Sequence, residues 1–430
     1  MSVGNKNVGR PSGRPLAIID EIIPSVELHP FQNIGMRKVF LNKKMLLAMD
    51  TGLGKTFTYS GAVRGLINAN PEGKHILVVT RDALGQISSD VKRLTEVSIE
   101  TFDGTDETVG RLRFFWQRTT IFCLTYEALR LIPVVEYLYR HLMEIMSFSI
   151  DEAHHCSNWD SSDTAFMIRS LVKWIPYSIV LTATPITSES QQYYRLMNLL
   201  DRAVSHRRDE TNSGKYLSRY YSVNRDDYGL KGEYKTTLLV VDPTLDQAVP
   251  QKGIVFKKIK GVGAVNQVNT LISTVQDRIS KGQSVIIYIH YHDTRQWVED
   301  NMCYHGINFV SLHGRILKRD VRDEILDSFR TGKVNVLLTS VTESLNIEAD
   351  VVIFYEFTTS VKQVIGRAHR GLEGKELEVV FIITRDTDEV DFFLEYIYKR
   401  SVTIQRLLQK DYSELISIGE RVLELQRDEE

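Results

Sequence analysis

The stretch Asp50-Thr51-Gly52-Leu53-Gly54-Lys55-Thr56 constrains this chain more than any other. The apolar run Met45 to Met49 before it reads as a buried strand. Phe57 to Ile67 after it reads as a helix, with a stop signal at Asn68-Ala69-Asn70-Pro71-Glu72-Gly73. Strand, glycine loop and helix in that order form a phosphate cradle. Two glycines let backbone N–H groups close on phosphate oxygens at a helix N-terminus, Lys55 reaches the β- and γ-phosphates, and the Thr56 hydroxyl holds Mg²⁺. Thr51, Gly52, Leu53, Gly54, Lys55 and Thr56 are therefore the expected nucleotide contacts, with ATP and Mg²⁺ as the expected cofactors. The strict loop pattern has glycine where this chain has Met49, and the plainer alternative is a glycine-containing turn.

With 430 residues and ordinary apolar and charged shares, the chain can bury two or three domain cores. Lys plus Arg number 53 and Asp plus Glu 55, so a polyanion must be gripped by a local patch rather than by overall charge. Cys123, Cys156 and Cys303 are far apart, with neither a disulfide framework nor a zinc spacing, which suits a reducing compartment. The longest membrane-like candidate, Leu129 to Ile150, is broken by Glu136, Arg140, His141 and Glu144, and no signal peptide is visible. The expectation is no membrane and a cytoplasmic location, with the nucleus as the alternative in a eukaryote.

Residues 1–17 are expected to form a disordered basic tail. Gly9-Arg10-Pro11 and Gly13-Arg14-Pro15 within it resemble arms that lie in a minor groove, though a plain tail explains them as well. In His29-Pro30-Phe31-Gln32, the Gln32 amide can pair with an adenine edge through one donor and one acceptor. Strand-like runs then follow at His75–Thr80, Thr120–Thr125, Ser147–Asp151 and Tyr177–Thr184, separated by helical or loop stretches. This alternation predicts an α/β fold with a mainly parallel sheet covered on both faces and functional residues at strand C-termini.

One of these strands ends in Asp151-Glu152-Ala153-His154. Opposite a phosphate loop, Asp151 can hold Mg²⁺ and Glu152 can orient and deprotonate an attacking water; the alternative is a surface acidic pair capping a helix. His154-His155-Cys156 has no other ligand cluster nearby in sequence, which argues against zinc. The last strand ends Leu181-Thr182-Ala183-Thr184-Pro185, placing hydroxyls to bond between the carboxylates and another element.

The loop Gly-Leu-Gly-Lys-Thr, Asp-Glu-Ala-His, Leu-Thr-Ala-Thr-Pro and the downstream string Gln363-Val364-Ile365-Gly366-Arg367-Ala368-His369-Arg370-Gly371 together resemble superfamily 2 helicases and translocases. Within that superfamily the wording is most similar to the Swi/Snf-type double-stranded DNA translocases, through Leu47-Ala48, the loop itself, Thr125-Tyr126-Glu127 and Gly-Arg-Ala-His-Arg-Gly. The resemblance spans roughly Leu28 to Leu407. It implies two RecA-like lobes, at 18–200 and 254–400, a linker over 201–253 with some helix around Lys215 to Tyr221, and a C-terminal helical extension over 401–430. The second half carries its own strand-like runs at Ser284–Ile289, Ile307–Leu312, Val334–Thr339, Asp350–Phe357 and Glu378–Thr384.

The resemblance also implies roles. Gln363, Arg367 and Arg370 join Lys55, Asp151 and Glu152 as catalytic residues, the arginines stabilising charge on the γ-phosphate from the second lobe. His154, Thr182 and Thr184 couple the two activities. Thr80, Arg81, Thr125, His313, Gly314, Ser340 and Thr342 touch the nucleic-acid backbone, so the expected partner is duplex or branched DNA bound without regard to sequence, with RNA as the alternative. Two departures bear on substrate preference: Glu343-Ser344 replaces the usual glycine pair, and Gly371-Leu372-Glu373-Gly374 replaces Ile-Gly-Gln. The function implied is an ATP-driven DNA translocase. A strand-separating helicase is the runner-up, and a nucleic-acid clamp with a vestigial ATPase is the reading from another class. No protein partner is named by the sequence.

Overall fold

The computed structural model describes residues 28–427 apart from 106, 158–161, 187–190, 203, 205–218, 225–233, 243–263, 315, 317–318, 341–346, 359–360, 369–375 and 409. The expected tail, Thr342, Arg370 and the two departures at 343–344 and 371–374 lie outside the described residues. So do the side chains of Gln363 and Arg367. The chain divides into two compact units: Met1–Ala48, Gly54–Thr182 and Arg195–Tyr221 form one, and Met49–Leu53, Ala183–Tyr194 and Ser222–Glu430 the other.

The first sheet is built from β1 (Lys44–Met49), β2 (Lys74–Val79), β3 (Ile99–Phe102), β4 (Ile121–Thr125), β5 (Ile145–Ile150), β6 (Tyr177–Leu181) and β7 (Tyr220–Val223), in the order β3-β4-β2-β5-β6-β1-β7. The pairs β3/β4, β4/β2, β2/β5, β5/β6 and β6/β1 are all parallel. Parallel strands need crossovers, and these carry helices that cover both faces; their strands therefore read as unbroken apolar runs. Met45, Leu47, Leu77, Val79, Ile121, Cys123, Ile179 and Leu181 face one layer, where they meet Met36 and Val39 of the helix Pro30–Asn42 and Tyr59, Val63 and Leu66 of Lys55–Ala69. On Phe122, from the alternate set, stack Phe102 and Trp116.

The second sheet comprises β8 (Tyr234–Val241), β9 (Val285–Tyr288), β10 (Val310–Leu312), β11 (Val336–Thr339), β12 (Val351–Phe354) and β13 (Leu377–Thr384), in the order β10-β11-β9-β12-β13-β8 and parallel throughout. Val268, Leu271, Ile272 and Val275 recur at helical spacing along Ala264–Ser280 and cover one face with Val298 and Met302 of His292–Tyr304. Phe354, Phe381 and Phe393 pack ring on ring elsewhere in this unit. The chain is helical from Asp388 to Leu408 with a π-helical turn at Phe393–Tyr398, and Ser413–Arg427 is a further helix within the stretch 401–430 expected to be helical. Two α/β units with parallel sheets are the RecA-like arrangement expected.

The reading of 201–253 as a linker needs correction. β7 and β8 both lie in it, and each is an edge strand of a sheet. Tyr220 and Tyr221, expected in a helix, are in β7. The segments Tyr-Tyr-Ser-Val and Tyr-Lys-Thr-Thr-Leu-Leu-Val-Val are rich in aromatic and β-branched residues, and that local preference outweighs the polar surroundings. Among the described residues no helix is long and apolar enough to cross a membrane.

Candidate functional site

β1 runs buried to Met49 and opens into the glycine loop, where the Leu53 N–H closes a turn on the Asp50 carbonyl at 3.3 Å. Gly52 (φ 82°) and Gly54 (φ 73°) both lie in the left-handed region. Gly54 is the cap residue from which the helix Lys55–Ala69 begins, so Lys55 and Thr56, both half-buried, occupy its first turn at the positive end of the helix dipole. A side chain at Gly54 is strained by its φ, and a Cβ there would press on the Gln32 Nε2 and displace it. The Gln32 side chain thus stands directly against the loop. The Gln32 Oε1 also accepts the His29 N–H at 3.0 Å, which fixes the side chain at the start of its own helix.

Thr51 and Leu53 are buried. Against Thr51 comes the helix Val361–Ala368, which carries Gln363 and Arg367: a Cβ at Gly366 would stand 2.2 Å from the Thr51 Oγ1, so glycine alone permits this approach.

The acidic pair follows β5. The Asp151 N–H donates to Val78 at 2.8 Å, and Glu152, 6% exposed, has φ 46° and ψ 49°, a left-handed conformation that non-glycine residues seldom adopt. The Tyr126 hydroxyl supports this turn, reaching the Asp151 carbonyl at 2.7 Å and the Glu152 carbonyl at 3.3 Å. Burial holds the Tyr126 phenol well above its ordinary pKa, so it stays a donor; burial likewise pushes the neighbouring Cys156 thiol up to about 12. The His154 Nδ1 is 3.5 Å from a Glu152 carboxylate oxygen and 3.5 Å from the Thr182 hydroxyl, which joins two of the expected coupling residues to the expected base. Thr182 is fully buried at the end of β6, its N–H on the Leu47 carbonyl of β1 at 3.2 Å, and Thr184 is buried two residues on. For Tyr126 the sequence carries no signal beyond the Thr-Tyr-Glu string and its place directly after a strand.

Sheet order converts these observations into a layout. Along the C-terminal edge the sequence runs from the loop after β1 to Thr182 after β6, Asp151-Glu152 after β5, Thr80-Arg81 after β2 and Thr125 at the end of β4. At about 4.8 Å per strand, β5 is roughly 10 Å from β1, β2 about 14 Å and β4 about 19 Å. Arg81 is exposed, with its guanidinium on the Asp103 carbonyl at 3.0 Å. Thr125 departs from expectation: it is fully buried, and its Oγ1 accepts the Ala128 N–H at 3.2 Å, so the side chain caps a turn and is closed to a phosphate.

In the second unit His313 and Gly314 follow β10 and Ser340 follows the adjacent β11. Beside them the buried Glu356 carboxylate, after β12, accepts the N–H groups of His290 and Tyr291, after β9, at 2.7 and 2.8 Å, fixing the start of the helix His292–Tyr304. His292 and His313 approach with ring centroids 6.4 Å apart.

The residues proposed for Mg²⁺ fit that ion chemically. Thr56 and Asp151 are hard oxygen donors on one sheet edge, and Mg²⁺ takes one or two protein oxygens while keeping waters and substrate phosphates as its remaining ligands.

Comparison with known proteins gives the following. The DEAD/DEAH box helicase family matches residues 29–193, and the helicase conserved C-terminal domain family matches 266–371, together well over half of the chain. The ATP-dependent RNA helicase DBP3 of Eremothecium gossypii is 22% identical over 82% of this chain and 61% of its own length. The uncharacterized ATP-dependent helicase YqhH of Bacillus subtilis is 24% identical over 88% of this chain and 79% of its own. UvrABC system protein B of Chlorobaculum tepidum is 27% identical over 41% of this chain, which spans only 26% of that relative. Among solved structures, the Sulfolobus solfataricus SWI2/SNF2 ATPase core in complex with dsDNA aligns with a TM-score of 0.43 at 17% identity, covering 93% of this chain and 94% of that one.

Proposed function

Since this chain belongs to superfamily 2 of the helicases and translocases, whose members are ATP-hydrolysing, nucleic-acid-dependent enzymes, we propose that it spends ATP to move along duplex or branched DNA. The observation that carries the reading is the ordered edge of the first sheet: phosphate loop, coupling threonine, carboxylate pair and then candidate backbone contacts, on neighbouring strands.

In this reading the triphosphate lies on the N–H groups of 51–56, with Lys55 against its β- and γ-oxygens and Gln32 toward the adenine. Glu152 takes a proton from the water that attacks the γ-phosphorus, and the Tyr126 hydroxyl holds the turn that aims it. Thr56 and Asp151 would hold Mg²⁺, which would supply positive charge to offset that of the phosphates. Gln363, Arg367 and Arg370 serve the γ-phosphate. His154, Thr182 and Thr184 tie the state of Glu152 to the strand ends, while Thr80, Arg81, His313, Gly314, Ser340 and Thr342 hold the polynucleotide through its phosphates, without reading sequence. Alternation between ATP-bound and ATP-free contacts then biases two states of the enzyme and drives stepping. The Swi/Snf-like wording of the motifs favours duplex DNA. The similarity to a protein named as an RNA helicase, across most of this chain, favours strand separation on RNA as the second reading. A clamp without catalysis is opposed by the retention of Lys55, Asp151, Glu152 and Arg370 together.

The test is steady-state ATP hydrolysis at one stated salt concentration, alone and with single-stranded DNA, duplex DNA, forked or four-way DNA, and RNA, with Lys55→Ala as the inactive control. Strongest stimulation by duplex or branched DNA is the expected result. Strongest stimulation by single strands or RNA selects the second reading. No hydrolysis under any condition overturns both.

A further inference from the structure

Lys410 lies in the short segment between the helices Lys399–Leu408 and Ser413–Arg427, far from every motif in sequence. Its side chain is 2% exposed, a burial that lysine tolerates only with charged or strongly polar partners. The partners are specific. The ammonium donates to the Asp50 carboxylate at 2.7 Å and to the Ala183 carbonyl at 3.0 Å, all within the second compact unit.

Asp50 is the residue on which the phosphate loop turns. Its N–H donates to Val223 at 3.1 Å, and its carbonyl receives the Leu53 N–H at 3.3 Å. Its carboxylate would add negative charge next to the place where the loop must receive a triphosphate, and a like charge at that distance opposes binding. Lys410 cancels that charge and fixes the side chain that carries it. Ala183 directly follows the coupling residue Thr182, so the same ammonium also holds the strand end next to β1. The surroundings reinforce the arrangement: the buried Arg400 guanidinium donates to the Ile186 carbonyl at 2.6 Å, and the Lys362 ammonium sits 4.4 Å from the centre of the Tyr412 ring.

We propose that Lys410 is a positioning residue for the phosphate loop, cancelling the Asp50 charge so that the loop can accept ATP. The proposal rests on the reading of 51–56 as the ATP site. It differs from a packing role in what it predicts: a lysine that merely holds the C-terminal helices would change stability and leave ATP affinity alone.

The experiment measures KM for ATP and kcat, with saturating nucleic acid, for the full chain and for Lys410→Met, Lys410→Arg, Asp50→Asn and the Lys410→Met/Asp50→Asn double variant. Each variant is also melted to establish that it is folded. Lys410→Met is expected to raise KM at least fivefold while kcat changes less than threefold; Lys410→Arg, which keeps the charge, stays within fivefold of the original KM. The double variant returns KM to within fivefold as well, because no uncompensated carboxylate remains. A folded Lys410→Met with KM raised less than fivefold, or a double variant as impaired as Lys410→Met, overturns the proposal. If Lys410→Met does not fold, Lys410→Gln, which removes the charge and keeps a hydrogen-bond donor for the Asp50 carboxylate and the Ala183 carbonyl, decides: KM raised at least fivefold supports charge cancellation, and a smaller rise overturns it. Failure of the ATP-site reading is distinct, because the unaltered protein then shows no ATP hydrolysis before any variant is compared.

Discussion

Glu152 is held in a left-handed conformation that costs a non-glycine residue roughly 1–2 kcal/mol. The two bonds from the Tyr126 hydroxyl to the carbonyls of 151 and 152 help offset it, and the result is a carboxylate aimed by its backbone rather than by a flexible side chain. Glu152→Gln keeps the shape and loses the basicity. Turnover is expected to fall by about 10²–10⁴, the range for removal of a general base, while nucleotide binding persists. Parallel nucleotide-binding and hydrolysis assays check this, and near-normal turnover removes Glu152 as the base. The roles proposed for the loop glycines, Lys55, Asp151 and Glu152 were legible because these are chemical types at short spacings. Tyr126 acts on residues 25 positions away and Lys410 on one 360 positions away, and no local pattern records contacts of that length.

At the scale of the strand, β2 carries a histidine where the sheet is closed on both faces. Burial pushes His75 down to about 3, and its Nδ1 lies 2.8 Å from the Ser147 hydroxyl of β5. An unfolded histidine titrates near 6.5. Above that pH neither state binds the proton, and the sheet has its full stability. Between about 6.5 and 3 only the unfolded chain is protonated, so stability falls with falling pH, by up to about 1.4 kcal/mol per unit. Urea unfolding at pH 6.5 and 5 should show a loss larger by about 1.6 kcal/mol in the natural chain than in His75→Gln. Equal losses would remove His75 as the cause. Strands such as β1, β2, β4 and β6 were readable as continuous apolar runs because parallel strands are buried twice over. The short edge strands β3 and β7 were not, since an edge needs little apolar length and is specified by the neighbour it joins.

For the whole molecule, a formal charge of −2 leaves little long-range attraction for a polyanion. Of the described residues proposed to hold the backbone, Arg81 alone carries a permanent cation; the others offer hydroxyl, imidazole or main-chain groups. Affinity for duplex DNA should therefore fall only weakly with salt, along a log–log slope of about −1, the value for one phosphate neutralisation. Anisotropy titrations on two unrelated sequences should also agree with each other. A slope steeper than about −6 would place the grip on a basic surface elsewhere. Two parallel-sheet units were legible at this scale from alternation alone, but the role of β8 was not, because its partner lies so far along the chain. Tyr234 pairs with Leu377, and the register holds for eight residues to Val241 and Thr384, a separation of 143 positions. On a ribosome adding roughly 5–20 residues per second, β8 emerges about 7–30 s before the strand that completes it. For that interval Tyr-Lys-Thr-Thr-Leu-Leu-Val-Val is an unmatched β-prone segment whose one charge is Lys235, the kind of sequence that nascent-chain chaperones exist to shield.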